Sequence, residues 1–174
     1  MPHPLVDQLR FTRSEFVRGL EGLSDADARR RNGPMNSISW MIGHLAWQEQ
    51  RYWLTRTQGQ VLVSDLNESH AYGKPATTPP LEQTWTTWRQ ITQAADPWLE
   101  ALDGERVMAP LAEGFSSAGT FLLRNIYHYW YHLGEALAAR QVMGHPGLPD
   151  FFGEIAGQAP YRCVRAPGRP MRVR

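Results

Sequence analysis

Asn125, His128, His132 and Glu135 follow one another at spacings of three, four and three inside a strongly apolar, aromatic stretch. On a helix that spacing puts all four on one face. An unpartnered polar group buried there costs about 1–3 kcal/mol, so the stripe needs partners. A divalent metal would supply one for two of the four, because imidazoles at i and i+4 are a recurrent way of holding a zinc-type ion from a single helix. The pair alone is a weak signal, since core histidines bonded to tyrosine hydroxyls or backbone carbonyls share the same spacing. His44 strengthens it. This third histidine sits among apolar residues in the middle of a second helical pattern. Three protein ligands with one position open is the usual arrangement of a catalytic zinc-type site. His44, His128 and His132 are therefore the expected metal ligands. Glu135 is the candidate catalytic residue: it either orients His132 or acts as a base on water at the metal. Its alternative is an ordinary ion pair with Arg140 or Arg124.

The remaining polar residues read as structural. Glu49 lies five residues after His44 and so falls off its face. His3, His70 and His145 lie near a terminus or in loops and read as surface residues. Arg51 either lines the pocket or, the commoner case, is a solvated helix arginine, and the tryptophans read as core. Cys163 stands between Arg162 and Arg165, a setting that lowers a thiol pKa, but nothing brings it near the histidines.

Four long helical patterns must position these groups. The first spans about 4–23, with Leu5, Leu9, Phe16 and Leu20 at helical spacing. The second spans about 36–58, with Asn36, Ser37 or Ser39 as its cap. It carries one stripe of Ile38, Met41, Ile42 and Leu45 and another of Trp40, His44, Trp47 and Arg51. The third runs from Thr78 or Pro79 to about Leu102, with Pro97 as a potential kink. The fourth, about 120–144, is the most apolar of all and is expected in the middle of the molecule. A short helical turn is expected at 149–155. The long connections are 59–80, where Val61-Leu62-Val63 reads as a short strand, and 105–119. A loop as long as 59–80 is often functional; here it would help cover the pocket. The fold class is all-α, a four-helix bundle with long crossover connections. The expected organisation is a metal-binding helical domain over 1–157 and an irregular Arg/Pro-rich arm over 158–174.

The bulk composition agrees. The chain has 174 residues, 42% of them apolar, with a net charge of +1, Lys74 as its only lysine and a single cysteine. There is no overall field to attract nucleic acid, no internal disulfide and no thiolate-rich zinc knuckle. Met1-Pro2-His3-Pro4 lacks the charged and apolar segments of a secretory leader, and no apolar run is long enough to span a membrane. A cytoplasmic protein that binds neither nucleic acid nor membrane is expected.

Two segments resemble a known family. Ser39-Trp40-Met41-Ile42-Gly43-His44-Leu45-Ala46-Trp47 and His128-Tyr129-Trp130-Tyr131-His132-Leu133-Gly134-Glu135 look like the DinB/YfiT-like superfamily, whose pattern is a histidine inside an apolar second helix and a late His-x-x-x-His pair followed by Gly-Glu/Gln. Gly144, soon after the late helix, fits as well, and the resemblance covers about residues 5–157. It implies a four-helix bundle with crossover connections and one metal ion, such as zinc or nickel, on the three histidines. It also implies thiol-dependent chemistry, because characterised relatives are transferases and isomerases using mycothiol, bacillithiol or glutathione. The expected activity is activation of a low-molecular-weight thiol or of water for S-transfer, isomerisation or hydrolysis of a small-molecule substrate. The alternative is a non-catalytic metal- or small-molecule-binding stress-response protein, which a fully enclosed site would favour. A di-iron carboxylate site is not expected, because no Glu lies three residues before any of the three histidines. The family and the apolar content allow a homodimer, which the chain itself does not require.

Overall fold

A computed structural model describes residues 2–150 and 153–160. Among them the ordered elements are helical, with one isolated antiparallel bridge between Pro110 and Ser117. No helix is long and apolar enough to cross a membrane. Most of the expected arm, Cys163 included, lies outside the described residues.

Helix α1 (Pro4–Gly19) starts where Pro4 tolerates the missing first hydrogen bonds and His3 accepts from the Leu5 N–H. The short α2 (Asp25–Arg29) is capped by Ser24, whose hydroxyl accepts from the Asp27 N–H. The first helix has already ended at Gly19, so Ser24-Asp25 opens a new helix rather than closing the first. Helix α3 (Ile38–Glu49) is capped by Ser37 and runs on without a break through a π-helical segment (Gln50–Thr55) into α4 (Arg56–Gln58). The run stops at Gly59, whose φ of 66° is the left-handed conformation glycine adopts freely. Helix α5 (Leu66–Ser69) is one turn long. Helix α6 (Leu81–Glu100) passes through Pro97 without ending. Trp98 stacks on Trp53 there (ring centroids 5.7 Å apart), and Leu99 is fully buried. Packing of the residues that follow the proline holds the last turn. Helix α7 (Gly104–Met108) is capped by the Asp103 carboxylate, α8 (Ala118–Val142) by the Ser117 hydroxyl, and the short α9 spans Ile155–Gln158.

The four long helices carry the core. Helix α1 packs along α8, α3 packs along α6, and α3 also meets α8. Two expectations change. Every residue of α3 is buried, so α3 occupies the centre rather than α8. Helix α8, apolar as it is, leaves Leu123, Tyr127 and Tyr131 on an exposed face. The difference arises because α2, α5, α6 and α8 all pack on α3. The strand expected at 61–63 does not form. The Gln50 side chain takes the hydrogen bonds a neighbouring strand would have taken, accepting from the N–H groups of Leu62 and Val63 and donating to the Val63 carbonyl.

Candidate metal centre

Helices α3 and α8 bring His44, His128 and His132 together, with one nitrogen of each lying within 4.8 Å of the others. His44 and His132 are buried and His128 is half-buried. Each ring is held at Nδ1 by a different acceptor. His44 Nδ1 donates to the His70 carbonyl (2.6 Å), His128 Nδ1 to Gln48 Oε1 (2.7 Å) and His132 Nδ1 to Glu135 Oε2 (2.7 Å). A proton fixed at Nδ1 leaves the lone pair at Nε2, the tautomer a ligating histidine needs.

The Nε2 atoms of His128 and His132 face each other at 2.9 Å. Two bare lone pairs at that distance repel, so the gap calls for a shared proton or a cation. Zinc–nitrogen bonds of about 2.0–2.1 Å suit nitrogens roughly 3 Å apart. The donor set of three imidazoles, each anchored at its far nitrogen, fits a borderline-soft divalent ion.

Burial keeps two of the three histidines neutral. The His128 pKa is pushed down to about 3, first by burial and then by His132, His44 and Arg124. His44 is pushed down to about 4, again chiefly by burial, against the raising effect of the His70 carbonyl. In the unfolded chain both return to about 6.5. A folded pKa below the unfolded one gives stability that is complete above about pH 6.5 and is lost on acidification, as the unfolded chain takes up protons the fold refuses. The urea midpoint of chelator-treated protein should therefore fall steadily between about pH 6.5 and pH 4. A flat midpoint across that window would mean that these rings are not held neutral.

Neighbouring residues tighten the arrangement. The His44 ring stacks on both Trp40 and Trp47, at centroid distances of 4.7 and 5.2 Å. Both indoles are tied to the segment around α5: Trp40 Nε1 donates to the Ser69 carbonyl and Trp47 Nε1 to Asn67 Oδ1. His70, expected at the surface, is buried against Gly43. A side chain at residue 43 would collide with the His70 ring, so glycine is required there for His70 to approach and hold His44. Sequence carried no signal for this role, because the atom used is a backbone carbonyl. Gln48 was legible in principle, lying one turn after His44 on the same face.

Glu135 bonds His132 at the nitrogen remote from the Nε2 cluster. Its pKa is lowered, first by that bond. Asn125, the fourth member of the stripe, is fully buried, and both of its side-chain polar atoms lack a protein partner. Glu49 belongs to another constellation, bonded to Arg13 and Tyr129.

The histidines are not sealed. A cleft of about 420 Å³ reaches His44 and His128 and is lined also by Gln48, Arg51, Tyr72, Arg124 and Tyr131. Tyr72 comes from the 59–80 connection, as expected of a segment helping to cover the pocket. A sequence model of the DinB superfamily matches residues 8–136, a span that contains all three histidines and Glu135. No curated protein matches the chain.

Proposed function

The chain belongs to the DinB superfamily, and from that premise we propose that it is a metal-dependent enzyme acting on a small molecule, with His44, His128 and His132 as the ligands of one divalent ion, zinc or nickel. The observation that carries the reading is the cleft. A storage site would enclose its ion, whereas here about 420 Å³ of open space reaches two of the three histidines. That volume lies in the range of small-molecule sites.

The chemistry such an ion supplies is Lewis acidity, which lowers the pKa of a thiol or water at its open position. The chain's own residues prepare for this. Neutral His44 and His128 present Nε2 lone pairs, and Gln48 and the His70 carbonyl prevent those rings from turning. Trp40 and Trp47 keep water off the faces of His44. Glu135 is a positioning residue for His132, since its carboxylate is engaged at Nδ1. A low-molecular-weight thiol or water would enter through the cleft as nucleophile, for S-transfer, isomerisation or hydrolysis.

The test is metal content and turnover together. Protein made without a histidine tag should carry near one equivalent of zinc, nickel or iron by plasma mass spectrometry. A panel of small thiols with a chromogenic electrophile should then show turnover that chelation abolishes and the metal restores. Absence of metal even after incubation with divalent ions would overturn the proposal. Bound metal without turnover of any thiol or ester would favour the storage reading.

A further inference from the structure

About half of the cationic side chains among the described residues are neutralised. Arg10, Arg13, Arg18, Arg29, Arg89 and Lys74 each pair with a carboxylate. Of the arginines that form no ion pair among the described residues, Arg31, Arg106 and Arg140 bond backbone carbonyls and Arg30 lies near Asp27, whereas Arg51, Arg56 and Arg124 gather around the histidine cleft. Arg51 and Arg124 line it directly. Arg124 lies one helical turn before His128 and is close enough to disfavour a charge there. Arg51 sits one turn after Trp47, its guanidinium carbon 5.2 Å over the indole ring. Arg56 stands behind them, 4.4 Å over Phe115 and 5.3 Å over both Tyr52 and Phe121. Burial, and then the charge of Arg51, push the Arg56 pKa down, with Tyr52 opposing the shift and Arg124 adding to it.

Like charges collected at one opening destabilise the free protein unless something gains from them. Guanidinium groups held on aromatic faces lose little entropy when they fork onto an oxyanion. The same cleft is rimmed by Tyr72, Tyr127 and Tyr131, which are 89, 65 and 63% exposed. Large exposed rings beside unpaired arginines provide an apolar surface next to an anion site.

We infer that this cleft binds a small molecule bearing a carboxylate or phosphate group, with Arg51 and Arg124 on the oxyanion and the tyrosines against its apolar body. The ligand would be the substrate or co-substrate of the proposed metal site, so the inference rests on the reading above for what the ligand does. It does not rest on that reading for where the ligand binds. Arg56 acts from behind by keeping the local potential positive.

The test is calorimetric titration of the full chain as purified with benzoate, phenyl phosphate and benzamide, the last a neutral analogue of the first. At least one oxyanion should bind ten times or more tighter than benzamide, and the tighter of the two identifies the group. Arg51→Gln and Arg124→Gln should each weaken that oxyanion about tenfold or more. Arg89→Gln, which alters a surface pair with Glu82, should not. Circular dichroism should show all variants folded. Equal binding of benzamide, no binding of either oxyanion, or arginine variants with unchanged affinity would overturn the inference. So would loss of all oxyanion binding in folded, chelator-treated protein, because the anion would then sit on the metal rather than on the arginines. Metal content measured in parallel separates the two ideas. A protein that takes up no metal even after incubation with divalent ions, yet still selects the oxyanion, sinks the enzyme proposal alone, and a metal-loaded protein that ignores the oxyanion sinks this inference alone.

Discussion

Replacing His132 by alanine will strip the protein of its metal while leaving the helices folded. The expected loss in affinity exceeds about 100-fold, because changes to residues that only orient a ligand already cost about 10–100-fold. Glu135→Gln, which weakens the grip on His132 Nδ1, should fall in that lower range. The fold should survive for two reasons. Alanine at 132 removes one of the two Nε2 atoms that face each other at 2.9 Å, and so relieves a repulsion present whenever neither metal nor proton lies between them. The void also adjoins a cleft that water can reach, since His128 beside it lines that opening. Plasma mass spectrometry and far-ultraviolet circular dichroism, run on the same preparation, check both halves. Helical signal lost together with the metal would make the ion a structural element and remove the reason for an open site. Metal retained at one equivalent would mean that His132 is not a ligand.

Sequence showed the three histidines that cluster and little of what holds them. His128 and His132 were legible because helical periodicity places i and i+4 on one face, and an apolar helix cannot leave both unpartnered. His44 was legible as a polar residue within the apolar stretch from Trp40 to Trp47. The partners of His44 were not, because the atom holding its Nδ1 is a backbone carbonyl of His70, delivered by a one-turn helix too short to give a periodic pattern. The exposed face of α8 was misjudged for a related reason. Hydrophobicity reports what a helix can bury, whereas the number of neighbours decides what it does bury, and α3 has more of them. Arg51 was legible both as a solvated helix arginine and as a residue that could line the pocket, and it is both, exposed and at the cleft. Its neighbour there, Arg124, was not legible, because it lies seventy-three positions away in sequence.

The largest loss of stability is expected from Glu49→Ala, a residue outside the metal cluster that ties all four long helices together. Glu49 is fully buried in α3 and takes both Arg13 Nε (2.8 Å) and Arg13 Nη2 (2.7 Å) from α1 in a two-pronged pair. Arg13 also donates to Asp96 of α6, and the Tyr129 hydroxyl of α8 donates to Glu49 while accepting from Trp88 Nε1. Burial opposes the charge of Arg13, but the Glu49 carboxylate more than offsets this, so its pKa stands above the ordinary arginine value. Tyr129, raised by burial and then by Glu49, stays protonated and able to donate. Removing one member leaves a buried charge uncompensated, at a cost of about 3–5 kcal/mol. That is a large share of the roughly 5–15 kcal/mol that holds a domain folded, and it should lower the melting temperature by about 6–20 °C. Arg13→Ala should cost a comparable amount, because Tyr129 still donates to Glu49 there just as Asp96 still accepts from Arg13 in Glu49→Ala. The Arg13→Met/Glu49→Leu double variant should recover most of the loss, since apolar groups of similar size replace the pair without stranding a charge. Thermal unfolding of the three variants decides the matter. A Glu49→Ala protein melting within a degree or two of the native one would mean that water reaches the site and that the pair is not buried in solution. The network also bears on the metal. Gln48, which holds His128, precedes Glu49 in α3, and Tyr129 lies between His128 and His132 in α8, so a protein that loses this pair should bind its metal more weakly with every ligand still in place.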